Sequence, residues 1–349
     1  MESIPAYVCR HKPLAALTTL KLGGVAEYFV EVSSERRLIS ALKWASGQDM
    51  PVHILGGGSN IVIMDNAIEG LVLHMAMRGR TVTQNGDLAH ITASAGEVWD
   101  RLVEDTIASG FQGFECLSGI PGLVGASPIQ NIGAYGQELS DTVKAVRVLD
   151  RVTLRPYEIA KPDCGFGYRT SRFKECPHDL IVLGVSFCLG KNQPPVLAHE
   201  ELRQMLGATA MPDLAEIRAS VLRLRRNKSM VLDPTDVNTN SVGSFFINPV
   251  LNAHDFGLLE ARVSETPPAF PVGDSKIKVP AAWLIERAGF SKGQRWGSVG
   301  ISSNHALALV HHGGGSSREL LELAESIRVK VLEGFGILLT IEPTIWGQF

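Results

Sequence analysis

The stretch Pro51–Ile63, PVHILGGGSNIVI, decides how the chain is read. Val52 to Leu55 is a short β-prone run, Gly56, Gly57 and Gly58 follow, and after Ser59 and Asn60 a second β-prone run begins at Ile61. Strand, glycine turn, strand is the expected order. Three consecutive glycines let the backbone take positive φ and present successive N–H groups, a concavity that can hold an anion. The same residues can equally be a tight β-turn and nothing more. They are not the dinucleotide fingerprint, which opens a helix. Nor are they a phosphate loop, which needs Gly-Lys-Ser/Thr.

Working outward, Glu27–Val32 reads as a strand. Ser33 to Ser46 reads as a helix with Leu38, Leu42 and Ala45 on one face, stopped by Gly47. Beyond the glycine turn come the β-prone runs GLVLHMAM and LAHITASAG, a helix from about Glu97 to Ala108, and then the strands TVKAVRVLD and DLIVLGVSFCLG. Helices do not alternate regularly with these strands. A doubly wound parallel sheet is therefore not expected. GKNQPPV, near residue 190, reads as a domain boundary. A helix over Leu214–Asn227 follows, then a helical AAWLIERAG and a strand-and-glycine-loop HALALVHHGGG. Ser316 and Glu319 have capping-box spacing before a helix with Leu320, Leu323, Ile327 and Val331 on one face. GILLTIEPTIWG reads as a closing strand interrupted at Glu342-Pro343. There are no internal repeats and no low-complexity tracts.

With 349 residues the chain is long enough for two or three domains. Its net charge of -3 disfavours a nucleic-acid partner, which calls for a basic surface. Cys9, Cys116, Cys164, Cys176 and Cys188 are scattered without a CxxC pair, so neither a metal cluster nor a disulfide framework is expected. The first ten residues, MESIPAYVCR, lack the apolar core of a signal peptide, and no apolar run approaches the ~18 residues that span a bilayer. A cytoplasmic protein with no membrane insertion is expected, and a monomer, since no interface stripe stands out.

Several stretches could carry chemistry. Ser118–Leu139, SGIPGLVGASPIQNIGAYGQEL, has glycines at 119, 122, 125, 133 and 136 and an interior of amides and hydroxyls almost without charge. It can line a large flat ligand, or be a buried irregular loop. FGYRTSRFK places Arg169 among aromatics, as a solvated charge or as a forked stabiliser of an anion. Lys228, after Arg225-Arg226-Asn227, either answers a helix dipole or grips a diphosphate. Glu342 sits in an apolar run, where a carboxylate is an edge residue or a functional one. In NSVGSFFINP, Ser244 lies between Gly243 and a Phe245-Phe246-Ile247 run that reads as a buried strand. It is a turn residue or a hydroxyl delivered to something.

The ordered set LGGGSN, SGIPGLVGASPIQNIGAYG, FGYRTSRFK, RRNKSMVLDP, GSFFINP, AAWLIERAG and GILLTIE resembles the UDP-N-acetylenolpyruvoylglucosamine reductase family over nearly the whole chain. The resemblance implies an α+β fold: a two-subdomain FAD-binding module of the vanillyl-alcohol-oxidase type and a C-terminal α+β substrate-binding domain. It implies a first subdomain over 1–75 joined by 335–349, a second over 76–195, and a third domain over 215–328. FAD would be held noncovalently, since Ser59 and Asn60 follow the glycines where tethering relatives often have a histidine.

The cofactor contacts it implies are Gly56, Gly57, Gly58, Ser59, Asn60, Ser118, Gly119, Pro121, Gly122, Gly125, Ala126, Gln130, Asn131, Gly133, Ala134 and Tyr135. The family's catalytic trio maps to Arg169, Ser244 and Glu342. Substrate contacts map to Lys228, Asn248 and Tyr168, and His199 stands where some members have a diphosphate-clamping tyrosine.

The activity implied is NADPH-dependent reduction of UDP-N-acetylglucosamine enolpyruvate to UDP-N-acetylmuramate, a step toward peptidoglycan. Hydride from reduced flavin would reach the vinyl carbon. Arg169 and a protonated Glu342 would then stabilise the enolate, and Ser244 would protonate it. No second nucleotide fingerprint is present, which predicts ping-pong kinetics. Two rivals are an FAD-dependent alcohol or sugar oxidase of the same fold, and a non-catalytic binder of a cell-wall nucleotide.

Overall fold

A computed structural model describes residues 3–192, 195, 197–207, 211–273 and 275–347. The chain forms two compact units. Unit 1 is built from 1–12, 26–57 and 69–231, and unit 2 from 13–25, 58–68 and 232–349.

Unit 1 holds two large sheets and the two-stranded ribbon Gly133–Ala134 with Gln137–Glu138. The first has four strands in the order Cys9–Pro13, Val25–Val32, Ile68–Met75, Val52–Leu55, the last pair parallel. The Glu35–Ser46 helix buries Leu38, Ala41, Leu42, Trp44 and Ala45, the face its 3.6-residue spacing foretells, and Ser34 caps it by accepting from Arg37 N–H. The second sheet has five strands in the order Pro156–Ala160, Val143–Asp150, Leu180–Gly190, Leu88–Ser94, Arg80–Asn85, all antiparallel. In Leu88–Ser94 the alternation puts Ala89, Ile91 and Ala93 inside, against Trp99, Leu102 and Phe187. The Leu214–Asn227 helix, where sequence reading opened the third domain, packs in unit 1 with Leu202 and Cys116. The contiguous part of unit 2 begins at Leu232. The boundary read at GKNQPPV lies partly outside the described residues.

Unit 2 has a four-stranded antiparallel sheet in the order Ser241–Ser244, Ala308–His311, Val299–Ile301, Arg295–Trp296. The 19-residue helix Ser317–Phe335 starts with the expected capping box between Ser316 and Glu319 and buries Leu320, Leu323, Ile327 and Val331. Two expectations need correction. Phe245-Phe246-Ile247 is not a strand: the regular strand ends at Ser244, and Phe246 makes only an isolated bridge to Ile341. Gly243 at φ +75 interrupts the register, so the two rings turn into the core, 0% and 1% exposed, rather than continuing the ladder. The closing run likewise is regular only over Thr344–Trp346, which pairs in parallel with Ile61–Ile63, because Pro343 has no N–H to give a ladder. No helix among the described residues is long and apolar enough to cross a membrane.

Candidate active site

In unit 1 the two glycine-rich stretches meet. A methyl group added to Gly57 would lie 3.0 Å from Gly122 Cα, and one on Gly56 3.6 Å from Ala126 Cβ. The contact is therefore backbone against backbone, as glycine alone permits at Gly57. The second stretch folds as bends, the 3-10 turn Val124–Ala126 and the short hairpin of Gly133–Ala134 with Gln137–Glu138, not as a free loop. Its polar side chains are mostly committed internally. Ser118 Oγ donates to Glu115 O at 2.7 Å, and Gly119 N–H donates to Asp100 at 2.6 Å. Asn131, fully buried, donates from Nδ2 to Glu138 and to Gly167 O and accepts at Oδ1 from Ser140 N–H.

Asn131 thereby ties this stretch to the turn that carries Arg169. Gly167 and Thr170 exchange two backbone hydrogen bonds, leaving Tyr168 and Arg169 at the tip. Arg169 is held at φ +56, a conformation L residues rarely take. Its Nη2 donates to Gly133 O at 2.8 Å, its carbonyl accepts from Lys174 Nζ at 3.0 Å, and its guanidinium lies 5.5 Å from the Tyr168 ring. The fork is thus aimed by contacts at both ends of the residue. Asn131 and Tyr135 also have positive φ, +45 and +50.

Around Tyr135 a second group of charges gathers. Burial pushes its phenol up to about 12, so it stays neutral. His199 meets its ring edge-to-face at 5.1 Å, and Lys228 Nζ lies 5.9 Å from the same ring. Lys228 pairs with Glu201. Arg225 donates to Met230 O at 2.6 Å, and its buried Nε has no hydrogen-bond partner. Burial lowers its pKa, against the pull of Tyr135 and Asp100. Asp100 receives a two-pronged Arg218 at 2.7 and 2.9 Å. Burial opposes ionisation of Asp100, yet the Arg218 and Gly119 hydrogen bonds and the charges of Arg218 and Arg225 hold its pKa below the ordinary value. A neutral wall where two glycine stretches meet backbone to backbone suits a large ligand with flat rings and a central diphosphate, so the residues present fit FAD.

Unit 2 brings Ser244 and Glu342 together. Ser244 pairs with Ala308 at the end of an edge strand. The next carbonyl, Phe245 O, accepts from Glu342 N–H at 2.9 Å, and Ile247 N–H donates to Thr340 O at 3.0 Å. Both Ser244 and Glu342 are half-buried. Asn248 is also placed here, and its Oδ1 accepts from Ala281 N–H at 2.8 Å, capping the Ala281–Arg287 helix. That leaves Nδ2 as the end that can face a ligand. Gly58, Ser59 and Asn60 belong to this unit, with Asn60 O accepting from Thr344 N–H at 3.1 Å.

An FAD-binding domain model matches residues 26–152, and the model of the C-terminal domain of UDP-N-acetylenolpyruvoylglucosamine reductase matches residues 233–346. The UDP-N-acetylenolpyruvoylglucosamine reductase of Thermobifida fusca is 44% identical, covering 97% of this chain and 98% of its own. The chain belongs to the UDP-N-acetylenolpyruvoylglucosamine reductase family. The Streptomyces coelicolor reductase is 41% identical over 98% of this chain and 91% of its own length. The crystal structure of the reductase from Thermus caldophilus superposes with a TM-score of 0.65 at 24% identity, covering 96% of this chain and 97% of that one, a likeness of fold. The expected α+β architecture, an FAD-binding domain followed by the reductase C-terminal domain, is therefore that of this chain.

Within the reductase fold, Arg169, Tyr168, Lys228 and His199 lie in unit 1 with the glycines at 56, 57, 119, 122, 125 and 133 and with Pro121, Ala126, Gln130 and Ala134, and Ser244, Asn248 and Glu342 lie in unit 2. Sequence reading passed over Asp100, Arg218, Arg225 and Glu201. Arg225 stood in the quoted RRNK stretch but read as an ordinary helix-end cation. The pairing of Asp100 with Arg218, 118 positions apart, has no local signal.

Proposed function

We propose that this reductase converts UDP-N-acetylglucosamine enolpyruvate to UDP-N-acetylmuramate, with NADPH as electron source, as a cytoplasmic monomer serving peptidoglycan precursor synthesis. The observation that carries the reading is the hydrogen bond from Glu342 N–H to Phe245 O, which sets an acid beside the residue that follows Ser244. FAD, when bound along the two glycine stretches, supplies the hydride that reduces the vinyl group. The neighbouring carbon then carries the charge of an enolate. Arg169 offers that charge a preorganised fork, whose direction its bond to Gly133 O already fixes. Ser244 Oγ–H gives a proton to the enolate carbon. A hydroxyl is a weak acid, but an enolate carbon is a strong base, so the transfer is feasible when the donor is held in place. Glu342, in its protonated form, donates a hydrogen bond to the enolate oxygens. Lys228 and His199 take the diphosphate, and Asn248 Nδ2 and Tyr168 take the rest of the substrate. The functional division into two FAD-binding subdomains and a substrate domain is part of the proposal, as is a ping-pong order of NADPH and substrate.

The test is an anaerobic absorbance titration. Bound flavin should bleach with NADPH and regain its oxidised spectrum on adding UDP-N-acetylglucosamine enolpyruvate. Bleaching without recovery, or recovery in air alone, would point to an oxidase. A protein that takes up no flavin would overturn the reading.

A further inference from the structure

In unit 2 a ring of hydrogen bonds joins the exit of the glycine turn to both proposed catalytic groups. Starting at Gly58, its carbonyl accepts from Thr19 N–H at 3.0 Å. Thr19 Oγ1 donates to Ser241 O at 2.6 Å, at the start of the strand that ends in Ser244. Phe245 O accepts from Glu342 N–H at 2.9 Å, and two residues on, Thr344 N–H donates to Asn60 O at 3.1 Å, which returns to the turn. Every tie in this ring runs between backbone atoms except one, the bond from Thr19 Oγ1.

That bond falls on the outer side of a bulged edge strand whose inner side is tied by Phe245 N–H to Leu307 O at 2.8 Å. Ser241–Ser244 is an edge strand, paired on one side with Ala308–His311, and its register slips between Ser241 and Ser244 around Gly243 at φ +75. A bulged edge strand with a glycine in the bulge is free to shift unless its outer side is held. Thr19 holds it. The residue is buried, 8% exposed, and its hydroxyl lies 3.3 Å from Gly58 O as well, but one hydroxyl proton serves the shorter bond to Ser241 while the backbone N–H serves Gly58. Thr19 and Ser241 are 222 positions apart, so nothing local in the sequence marks the pair.

We infer that Thr19 is a positioning residue for the protonation step, fixing Ser244 relative to the Gly58–Asn60 end of the cofactor turn. The inference rests on the role proposed for Ser244. A serine that protonates carbon depends steeply on placement, since a displacement of about 1 Å can cost about 10²-fold.

The experiment compares the wild type with Thr19→Val, which keeps shape but has no donor, and Thr19→Ser, which keeps the donor. Flavin retention through gel filtration, flavin reduction by NADPH and flavin reoxidation by UDP-N-acetylglucosamine enolpyruvate are measured separately. Thr19→Val should retain flavin, be reduced at the wild-type rate, and be reoxidised about 10-fold or more slowly with little change in KM. Thr19→Ser should restore reoxidation to within about 3-fold. In a Ser244→Ala background Thr19→Val should cost nothing further, because the group it positions is gone. If Thr19→Val does not fold, Thr19→Cys, of similar bulk and with a poor donor, takes its place. Wild-type reoxidation in the variant, equal loss of flavin and of both half-reactions, or full additivity with Ser244→Ala would each overturn the inference. A wild-type protein that fails to reoxidise with this substrate would instead overturn the function on which it rests.

Discussion

The two units hold their proposed functional groups by different means. In unit 1, Arg169 depends on side chains and on strain. Its positive φ, the buried amide of Asn131 against Gly167 O and the ammonium of Lys174 on its own carbonyl all converge on one turn. In unit 2, Ser244 and Glu342 are placed mainly by backbone hydrogen bonds, with one side-chain tie from Thr19, and by the buried rings of Phe245 and Phe246. The difference teaches where each group is vulnerable. A strained, side-chain-braced cation should be sensitive to the chemistry of its braces. A backbone-placed hydroxyl should tolerate its own removal structurally and show the loss only in chemistry.

The sharpest way to break this contrast is Ser244→Ala. The fold should be unchanged and flavin reduction by NADPH rapid, while reoxidation by the enolpyruvyl substrate falls about 10²-fold or more, the scale of a lost general acid. Stopped-flow absorbance of the two half-reactions checks it. If both run at the wild-type rate, Ser244 is a bulge residue and no more.

Next in size is Arg169→Lys. Lysine keeps the charge but not the planar fork whose Nη2 meets Gly133 O. Reoxidation should slow about 10-fold or more. The melting temperature should stay nearly constant, because either residue pays the same backbone strain at φ +56. A large drop in melting temperature with normal reoxidation would make the guanidinium a brace rather than a catalyst.

In sequence each of these two residues reads two ways, Ser244 as a turn residue or a delivered hydroxyl and Arg169 as a solvated charge or an anion stabiliser, and their proposed roles come from the family resemblance. The Leu214–Asn227 helix has the bounds read from sequence, and an Asp213–Glu216 capping box opens it in the structure. What escaped reading depends on distant partners. Asp100 looks like any acid on a helix until Arg218 and Gly119 close on it. Phe245-Phe246-Ile247 has the composition of a strand, and the glycine bulge before it and the proline after it deny it a ladder. The Glu200–Leu206 helix has no side-chain cap at His199 and one buried residue, Leu202, too little pattern for a reader to detect.

Asp100 gives an effect on stability rather than chemistry. Its folded-state pKa lies below the ordinary 3.8, so folding favours the ionised form. The stability this contributes is present above that ordinary value and is lost as pH falls through the folded-state value. Asp100→Asn should therefore cost about 1–3 kcal/mol at neutral pH, as hydrogen bonds to a charged acceptor are weakened to neutral ones. Denaturant melts of wild type and variant should converge toward acid. A gap that stays constant down to pH 2.5 would mean that shape, not charge, is what Asp100 supplies to Gly119 and Arg218.

The smallest expected effect concerns Lys228, whose partner in this structure is Glu201, with both side chains about a third or more exposed. A pair at that exposure is worth about 0.2–1 kcal/mol. If Lys228 is the diphosphate ligand, binding must exchange the carboxylate for a phosphate. Glu201→Gln removes the competitor and one negative charge near the incoming diphosphate, and both effects act in the same direction. KM for UDP-N-acetylglucosamine enolpyruvate should fall by about 1.5- to 5-fold with kcat unchanged, and the gain should shrink as salt is raised and the charges are screened. A rise in KM would mean that Glu201 aims Lys228 at its ligand. An unchanged KM at every salt concentration would remove Lys228 from diphosphate binding and leave it as a C-terminal cap of its helix, stacked beside Tyr135.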